Sequence, residues 1–265
     1  MGTFKAVVTG ACGKVGREMI KGIHNSADIE VVGAVDVINV GQDIGEVMGL
    51  KPFGVKVSAS LEDFLAEYPV REGLTLVDFT FKKAAEQNIP CALRNGLHVV
   101  MGTTGFTTEE LEAFGVLAEE NKVGALIAPN FSFGAVLMMK AAREISRYLD
   151  QAEIIEYHND KKVDSPSGTA IATAHIIKEN AAGNSPVPPN GSLARGAEYD
   201  GIRIHSVRLK SLVAHQEILF SGCGELLTIR HDSFSRESFV PGVLMAIRKV
   251  SGWTGVKIGL ESILE

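Results

Sequence analysis

Cysteine is scarce: Cys12, Cys91 and Cys223 are the only three in 265 residues. They lie too far apart for a disulfide framework and form no CxxC, and no paired histidines accompany them, so neither a zinc site nor any other metal is indicated. Each reads as a small buried filler. Excess basic charge is also missing. Lys and Arg total 26 against 32 Asp and Glu, a net charge of −6 and a pI near 5.7. A nucleic-acid or membrane-surface partner needs a basic face, so both are excluded as expectations, and a small anion would have to be held by a local pocket. No apolar run approaches the ~18 residues of a membrane helix, and no charged-then-apolar leader precedes the first strand. The expected location is the cytoplasm or an equivalent reducing compartment. No internal repeat is visible. What is present is ordinary for a globular chain, with 45% apolar and 22% charged residues. That length accommodates one large domain or two modest ones.

FKAVVT (4–9) is a short β-branched run that ends in GACGKVG, with glycines at 10, 13 and 16, before the helical pattern REMIKGIHN. Strand, glycine turn and helix in that order are the context in which a glycine fingerprint is informative. A second strand, EVVGAVD, places Asp36 twenty residues after Gly16. In a dinucleotide fold the glycines allow a tight turn and close approach of the pyrophosphate to the helix start, and the acid accepts from ribose hydroxyls. Here the spacing is GxxGxxG, with Ala11 and Cys12 where the commonest form has its central glycine, and plain helix packing is the competing explanation. Val37, Ile38 and Asn39 follow the acid where a 2′-phosphate usually meets a basic residue. NADH should be accepted, with Lys14 or Arg17 as the nearby compensation for NADPH.

Strand and helix alternate over residues 1–130, the mark of a doubly wound parallel sheet. Val37 to Gly54 reads as a long connection, Ser60 with Asp63 as the start of a capping box, and Lys82 to Asn95 as a helix stopped by Gly96. Ligands on such sheets bind beyond the carboxyl ends of the strands. Those positions are Gly10, Ala11, Cys12, Gly13, Lys14, Val15 and Gly16, then Asp36, Phe79, Thr80, Gly102, Thr103, Thr104, Ala128, Pro129, Asn130 and Phe131. Phe79, Thr80 and the GTTG run suit the nicotinamide end; turn chemistry alone would also account for them.

After Phe131 the character changes. VLMMKAAREISRYL is amphipathic, NSPVPPNGSLARGAEYD is a loop fit to be a lid or to be disordered, and IRIHSVRL, VAHQEILF and ELLTIRH predict a mostly antiparallel sheet. His205, His215 and His231 in these strands are read as structural. SRESFVPGVLMAIRKV predicts a helix from about Arg236 to Val250, followed by an end strand around VKIGLESIL. The expected class is therefore α/β: a Rossmann-like domain from residues 1–130 and 240–265, with an inserted α+β substrate and oligomerisation domain at 131–239. A cleft is expected beside the hinge.

The densest chemistry is EYHNDKKVDSPSGTA (156–170), directly after the strand-like AEIIEY. Pro166 cannot sit inside a helix, whereas Ser167, Gly168 and Thr169 before AIATAHIIK make a helix start whose free N–H groups and dipole hold a carboxylate or phosphate. Lys162 adds a point charge, and His158 a proton exchangeable near neutral pH. An ordinary solvated loop with an N-cap is the bland alternative.

GACGKVG, DFT, GTTGF, APNFSFG, EYHNDKKVDSPSGTA, SVRL, AHQEILF and HDSFSRESFVPG, in that order, make the whole chain resemble the dihydrodipicolinate reductase family of the diaminopimelate and lysine pathway. The resemblance implies reduction of 4-hydroxy-tetrahydrodipicolinate, a small dicarboxylate, by NADH or NADPH. It implies His158 as acid/base residue, Lys162 as proton donor, and Gly168 and Thr169 as carboxylate contacts. Asn159 stands where many members have a second histidine; it can donate a hydrogen bond but carries no charge. Gly10 to Val15, Asp36, Gly102 to Thr104 and Ala128 to Phe131 match the family's cofactor contacts, and a homotetramer is implied. Another two-domain dehydrogenase and a non-catalytic NAD(P)-binding sensor are the alternatives.

Overall fold

The structure is a computed structural model that describes residues 4–149, 151–181 and 193–264. It divides into two compact units, one from the residues up to Phe131 together with those from Phe239 onward, the other Ser132–Ser238.

The first unit is a seven-stranded sheet. Its strands are β1 (Phe4–Thr9), β2 (Ile29–Val35), β3 (Val57–Ser58), β4 (Leu74–Asp78), β5 (His98–Met101), β6 (Gly124–Ile127) and β12 (Gly255–Ile258). They lie in the order β12-β6-β5-β4-β1-β2-β3, every pair parallel. β4 is buried at all five positions, as its unbroken apolar run requires of a strand covered on both faces. The order turns back between β1 and β4, and that switch point puts the ends of these strands where ligands bind in doubly wound sheets.

Helices α1 (Lys14–His24), α3 (Leu61–Glu67), α4 (Lys82–Arg94) and α5 (Thr108–Glu120) connect these strands. Thr107 and Glu110 form a complete reciprocal capping box on α5. At α3 the box is half made: Ser60 Oγ accepts from Asp63 N at 3.0 Å, and Asp63 returns to the hydroxyl rather than to the backbone. Pro90 sits inside α4, where the buried stripe Ala85, Ile89, Ala92 and Leu93 outweighs the lost backbone bond.

Three elements differ from expectation. The Val37–Gly54 connection contains a short helix, α2 (Ile44–Val47), because the Asp43 carboxylate gathers the amides of Gly45, Phe53 and Gly54 at 2.7–2.9 Å. The single helix expected from Arg236 divides into a 3-10 turn, Arg236–Phe239, and α8 (Val240–Lys249), since Pro241 suits only a first helical turn. The terminal strand stops at Ile258, where Gly259 has φ of +81°, and a 3-10 turn, Leu260–Ile263, follows.

The second unit holds α6 (Phe133–Ile145), α7 (Gly168–Asn180) and a five-stranded sheet of β7 (Gln151–His158), β8 (Ala197–Tyr199), β9 (Ile202–Arg208), β10 (Ala214–Gly222) and β11 (Glu225–Ser233). The order is β11-β10-β7-β9-β8, antiparallel except for β7 beside β9. Met138 and Ala142 of α6, with Ala170, Ala174 and Ile177 of α7, pack on Ile154, Ile204, Ile218 and Phe220.

The first part of the loop read as lid or disorder, residues 184–192, lies outside the described residues. Its last part is not a loop: Asp200 and Gly201, with φ of +53° and +79°, make a two-residue hairpin turn that pairs β8 with β9. The cysteine expectation needs correction as well. Cys12 is buried, but Cys91 is only half-buried and Cys223 is exposed, at the tip of the β10–β11 hairpin beside Gly224. A tight turn has no interior to fill.

Candidate functional site

In the first unit every residue singled out for a cofactor stands at or just beyond the carboxyl end of β1, β2, β4, β5 or β6. Gly10 follows β1 with φ of +72°, and a Cβ there would lie 2.8 Å from the Phe79 carbonyl oxygen. At Gly16 a Cβ would lie 2.0 Å from the Gly10 carbonyl oxygen, so α1 can begin this close to the turn only with glycine. Gly13 is the N-cap of α1 and supplies no capping side chain, and the first turn, with Lys14 and Val15, contains no acid. A helix start left in that state fits an anion.

Asp36 closes the turn from the second strand. Its Oδ2 accepts from Cys12 N at 2.9 Å and its Oδ1 from Ile38 N at 3.3 Å. A carboxylate has lone pairs left after two such bonds, which suits it to ribose hydroxyls as well. Ala11 N donates to Val35 O at 3.2 Å, and Arg17 Nε to Cys12 O at 2.8 Å, so the glycine turn is tied to both β2 and α1. Burial raises the Cys12 thiol pKa, and the group remains a neutral filler. Val37 and Ile38 are exposed, and no basic side chain follows Asp36.

On the other side of the switch point, Phe79 and Phe131 pack edge to face with ring centroids 5.6 Å apart. Gly102 is required beneath Phe79, because a Cβ would lie 2.2 Å from its ring. Ala128 N donates to Met101 O at 2.9 Å, Pro129 and Thr104 are exposed, and Asn130 is half-buried.

The centre of this arrangement is a residue that sequence reasoning passed over. Asp78, fully buried at the end of β4, accepts from the hydroxyls of Thr9 at 2.7 Å, Thr80 at 2.9 Å and Thr103 at 2.7 Å, from Thr80 N at 3.2 Å, and from Asn88 Nδ2 at 3.1 Å. One carboxylate thus sets the ends of β1, β4 and β5. An acid closing an otherwise continuous apolar strand was the available signal.

In the second unit the segment after AEIIEY continues β7 as far as His158. Alternation places Ile154, Glu156 and His158 on the face covered by the helices. Glu156 is fully buried. It accepts from Arg208 through both oxygens, at 2.6 and 2.9 Å, and its Oε2 also meets His158 Nδ1. Burial pushes this carboxyl up, but hydrogen bonds from His158, Arg208 and Ser206 overcome it and hold its pKa at about 2. A carboxylate on Nδ1 leaves Nε2 as the exchangeable position of His158.

Past His158 the chain folds back on β9. Asn159 Nδ2 donates to Lys210 O at 2.6 Å, Leu209 N to His158 O at 3.0 Å, and Arg208 to Asp164 O at 2.9 Å. Lys162 Nζ pairs with Asp164 at 2.8 Å, and that bond and charge lower the Asp164 pKa against the opposing effect of burial. The Ser165–Pro166 peptide is cis. Ser167 is the N-cap of α7, its Oγ accepting from Ala170 N at 3.3 Å. The N–H groups of Gly168 and Thr169 have no intrahelical carbonyl to reach, and Gly168 is exposed. Imidazole, ammonium and helix start therefore belong to one tethered loop. Glu156 and Arg208 were missed because an acid two residues before a histidine on a strand gives no signal until a neighbouring strand supplies the cation.

The strand histidines have structural partners: His205 bonds Glu153 at 2.7 Å, His215 bonds Asp232 at 2.8 Å and His231 meets Ser132 Oγ at 3.2 Å. Among the described residues no group of acids, histidines and cysteines could hold a metal ion, and no helix is long and apolar enough to cross a membrane.

Known proteins resemble the chain in both of its halves. The family described as dihydrodipicolinate reductase, N-terminus, matches residues 4–131, and its C-terminal counterpart matches residues 134–264. The 4-hydroxy-tetrahydrodipicolinate reductase of Moorella thermoacetica is 48% identical over 99% of this chain and 98% of its own length. That of Carboxydothermus hydrogenoformans is 45% identical over 98% and 99%. A solved dipicolinate-bound dihydrodipicolinate reductase from Paenisporosarcina sp. TG-14 superposes with a TM-score of 0.84 at 40% identity, covering 99% of this chain and all of that one. An amine dehydrogenase from Mycobacterium smegmatis, at 13% identity and a TM-score of 0.66, shares the fold alone. With both halves matched and relatives this similar over the full length, the chain belongs to the dihydrodipicolinate reductase family.

Proposed function

We propose that the loop from His158 to Thr169 binds a cyclic imine dicarboxylate and supplies the proton for its reduction. The chain is an NAD(P)H-dependent reductase of 4-hydroxy-tetrahydrodipicolinate in diaminopimelate and lysine biosynthesis: the 4-hydroxyl leaves as water to give the conjugated cyclic imine, which takes up one hydride and one proton to form tetrahydrodipicolinate. The observation that carries the residue assignment is the tethered loop itself. It presents His158 Nε2, the Lys162 ammonium and the Gly168 and Thr169 amides at the start of α7 from about a dozen consecutive positions.

Gly168 and Thr169, steadied by the Ser167 cap, hold one substrate carboxylate through backbone N–H groups at the positive end of α7. Asn159 serves as a neutral donor beside it. Orientation by these contacts supplies several kcal/mol of barrier reduction. Lys162 offsets charge that develops on the substrate, and either Lys162 or His158 delivers the proton to the carbon next to the one reduced, a step worth about 10²- to 10⁴-fold. The bound nicotinamide supplies the hydride. Gly10 to Gly16 and Asp36 would hold its adenosine and pyrophosphate half, while Phe79, Thr80, Gly102 to Thr104 and Ala128 to Phe131 would hold the ring end. With no basic residue after Asp36, NADH is accepted at least as readily as NADPH. The working state is a cytoplasmic homotetramer.

Following NADH absorbance with enzymatically generated substrate tests the assignment. His158→Gln and Lys162→Ala each lower kcat by about 10²-fold or more, with NADH binding retained. Wild-type turnover in both variants, or loss of NADH binding in folded variants, overturns it.

A further inference from the structure

We propose that Glu156 and Arg208 are positioning residues for His158: Glu156 keeps the neutral imidazole protonated on Nδ1, so that Nε2 exchanges the proton, and Arg208 orients Glu156 and anchors the Lys162 loop to it. This rests on the reading of His158 as the acid/base group.

The strand pattern makes Glu156 anomalous. It follows Ile154 on the helix-covered face of β7, where an apolar side chain would satisfy the core, and it is fully buried there. A buried carboxylate is expensive unless paired and hydrogen-bonded. Register explains the pairing, since Arg208 of β9 stands opposite His158 and Ser206 opposite Glu156. Side chains two apart on one strand thus meet side chains two apart on the next.

Arg208 takes both oxygens of Glu156 in a bidentate contact, which alone would neutralise the charge. His158 Nδ1 is added to Oε2 as a third partner. An ionised carboxylate accepts hydrogen bonds and cannot donate them, so Nδ1 must carry the hydrogen. Holding an imidazole in one tautomer and one ring orientation is what a carboxylate contributes to an acid/base histidine.

Arg208 also reaches forward. The nitrogen that holds Glu156 Oε1 donates to Asp164 O, and Asp164 in turn holds Lys162. A single guanidinium therefore links the support of His158 to the backbone of the loop that carries Lys162. A lysine at this position could not span both sites with fixed geometry.

The tautomer is measured in the full-length chain with labelled histidine, by two-bond proton–nitrogen NMR correlations at a pH where the imidazole is neutral, the His158 signals being those lost in His158→Gln. Wild type is expected to show the Nδ1–H form, and Glu156→Gln the Nε2–H form or a mixture. In the same variant kcat falls about 10²-fold or more, while the Kd for NADH is unchanged. Because Glu156→Gln leaves the half-buried Arg208 without its counter-charge, the double variant Glu156→Gln with Arg208→Met is made alongside; it regains thermal stability and keeps the low kcat. An Nε2–H wild-type spectrum, or recovery of kcat together with stability in the double variant, overturns the inference. Failure of the acid/base reading shows separately, as wild-type turnover by His158→Gln, and the tautomer spectrum decides the role of Glu156 in either case.

Discussion

Among the described residues each unit buries one carboxylate completely, Asp78 in the first and Glu156 in the second, and the two are satisfied by opposite means. Asp78 collects neutral donors only: three threonine hydroxyls, one backbone amide and one asparagine amide. Glu156 collects an arginine and a histidine, with a serine hydroxyl as its neutral support. Neutral donors do not change with pH and have short side chains, so Asp78 works as a strut that aligns three strand ends around the cofactor turns. A ring nitrogen that can carry or lack its hydrogen is fixed by the carboxylate it faces, and under the proposed role of His158 that contact is how Glu156 would reach the chemistry. A buried acid is thus not a single kind of feature; its donors decide whether it shapes a site or tunes it.

The comparison can be broken most forcefully at Asp78. Asp78→Ala leaves three buried or half-buried hydroxyls without their acceptor and lowers stability by about 3 kcal/mol or more, read from urea unfolding, with NADH affinity falling in parallel. A loss below about 1 kcal/mol would mean that the strand ends are aligned without it.

Acid tests Glu156. Its folded pKa of about 2 lies below the ordinary value of 4.5. A depressed carboxylate contributes stability that is fully present above the unfolded value and lost as pH falls towards the folded one. Roughly 3 kcal/mol should disappear between those limits. The double variant lacking both Glu156 and Arg208 charges should lose correspondingly less over that window, and identical acid profiles for the two proteins would contradict the assignment.

The smallest effect is expected at Thr103→Val. Asp78 keeps four other donors, so stability falls by only about 1 kcal/mol, and the consequence appears as a raised KM for NADH with kcat nearly unchanged. A drop in kcat at constant KM would place Thr103 in the chemistry instead.

Much of the cofactor half was legible because its constraints are local. Glycine at 10 and 16 follows from backbone contacts within one strand-turn-helix, and Asp36 reaches the same turn from the adjacent strand at the spacing that the fold requires. The start of α7 at Ser167 was legible for the same reason, as a cap acts within three residues. Elements with competing local signals were harder. Pro241 divided one expected helix, and the Asp200–Gly201 turn, a strong hairpin signal, was lost within a Pro- and Gly-rich stretch read as loop.

By itself the sequence determined the alternating first unit, the glycine turn and the capped start of α7, because periodicity, glycine conformation and helix capping are properties of neighbouring residues. Only the tertiary structure decided what holds these segments in place. Asp78 meets Thr9 across 69 positions and Glu156 meets Arg208 across 52, and both contacts come from the register of adjacent strands. A carboxylate's meaning depends on which donors reach it, and that is settled only when the sheet has formed.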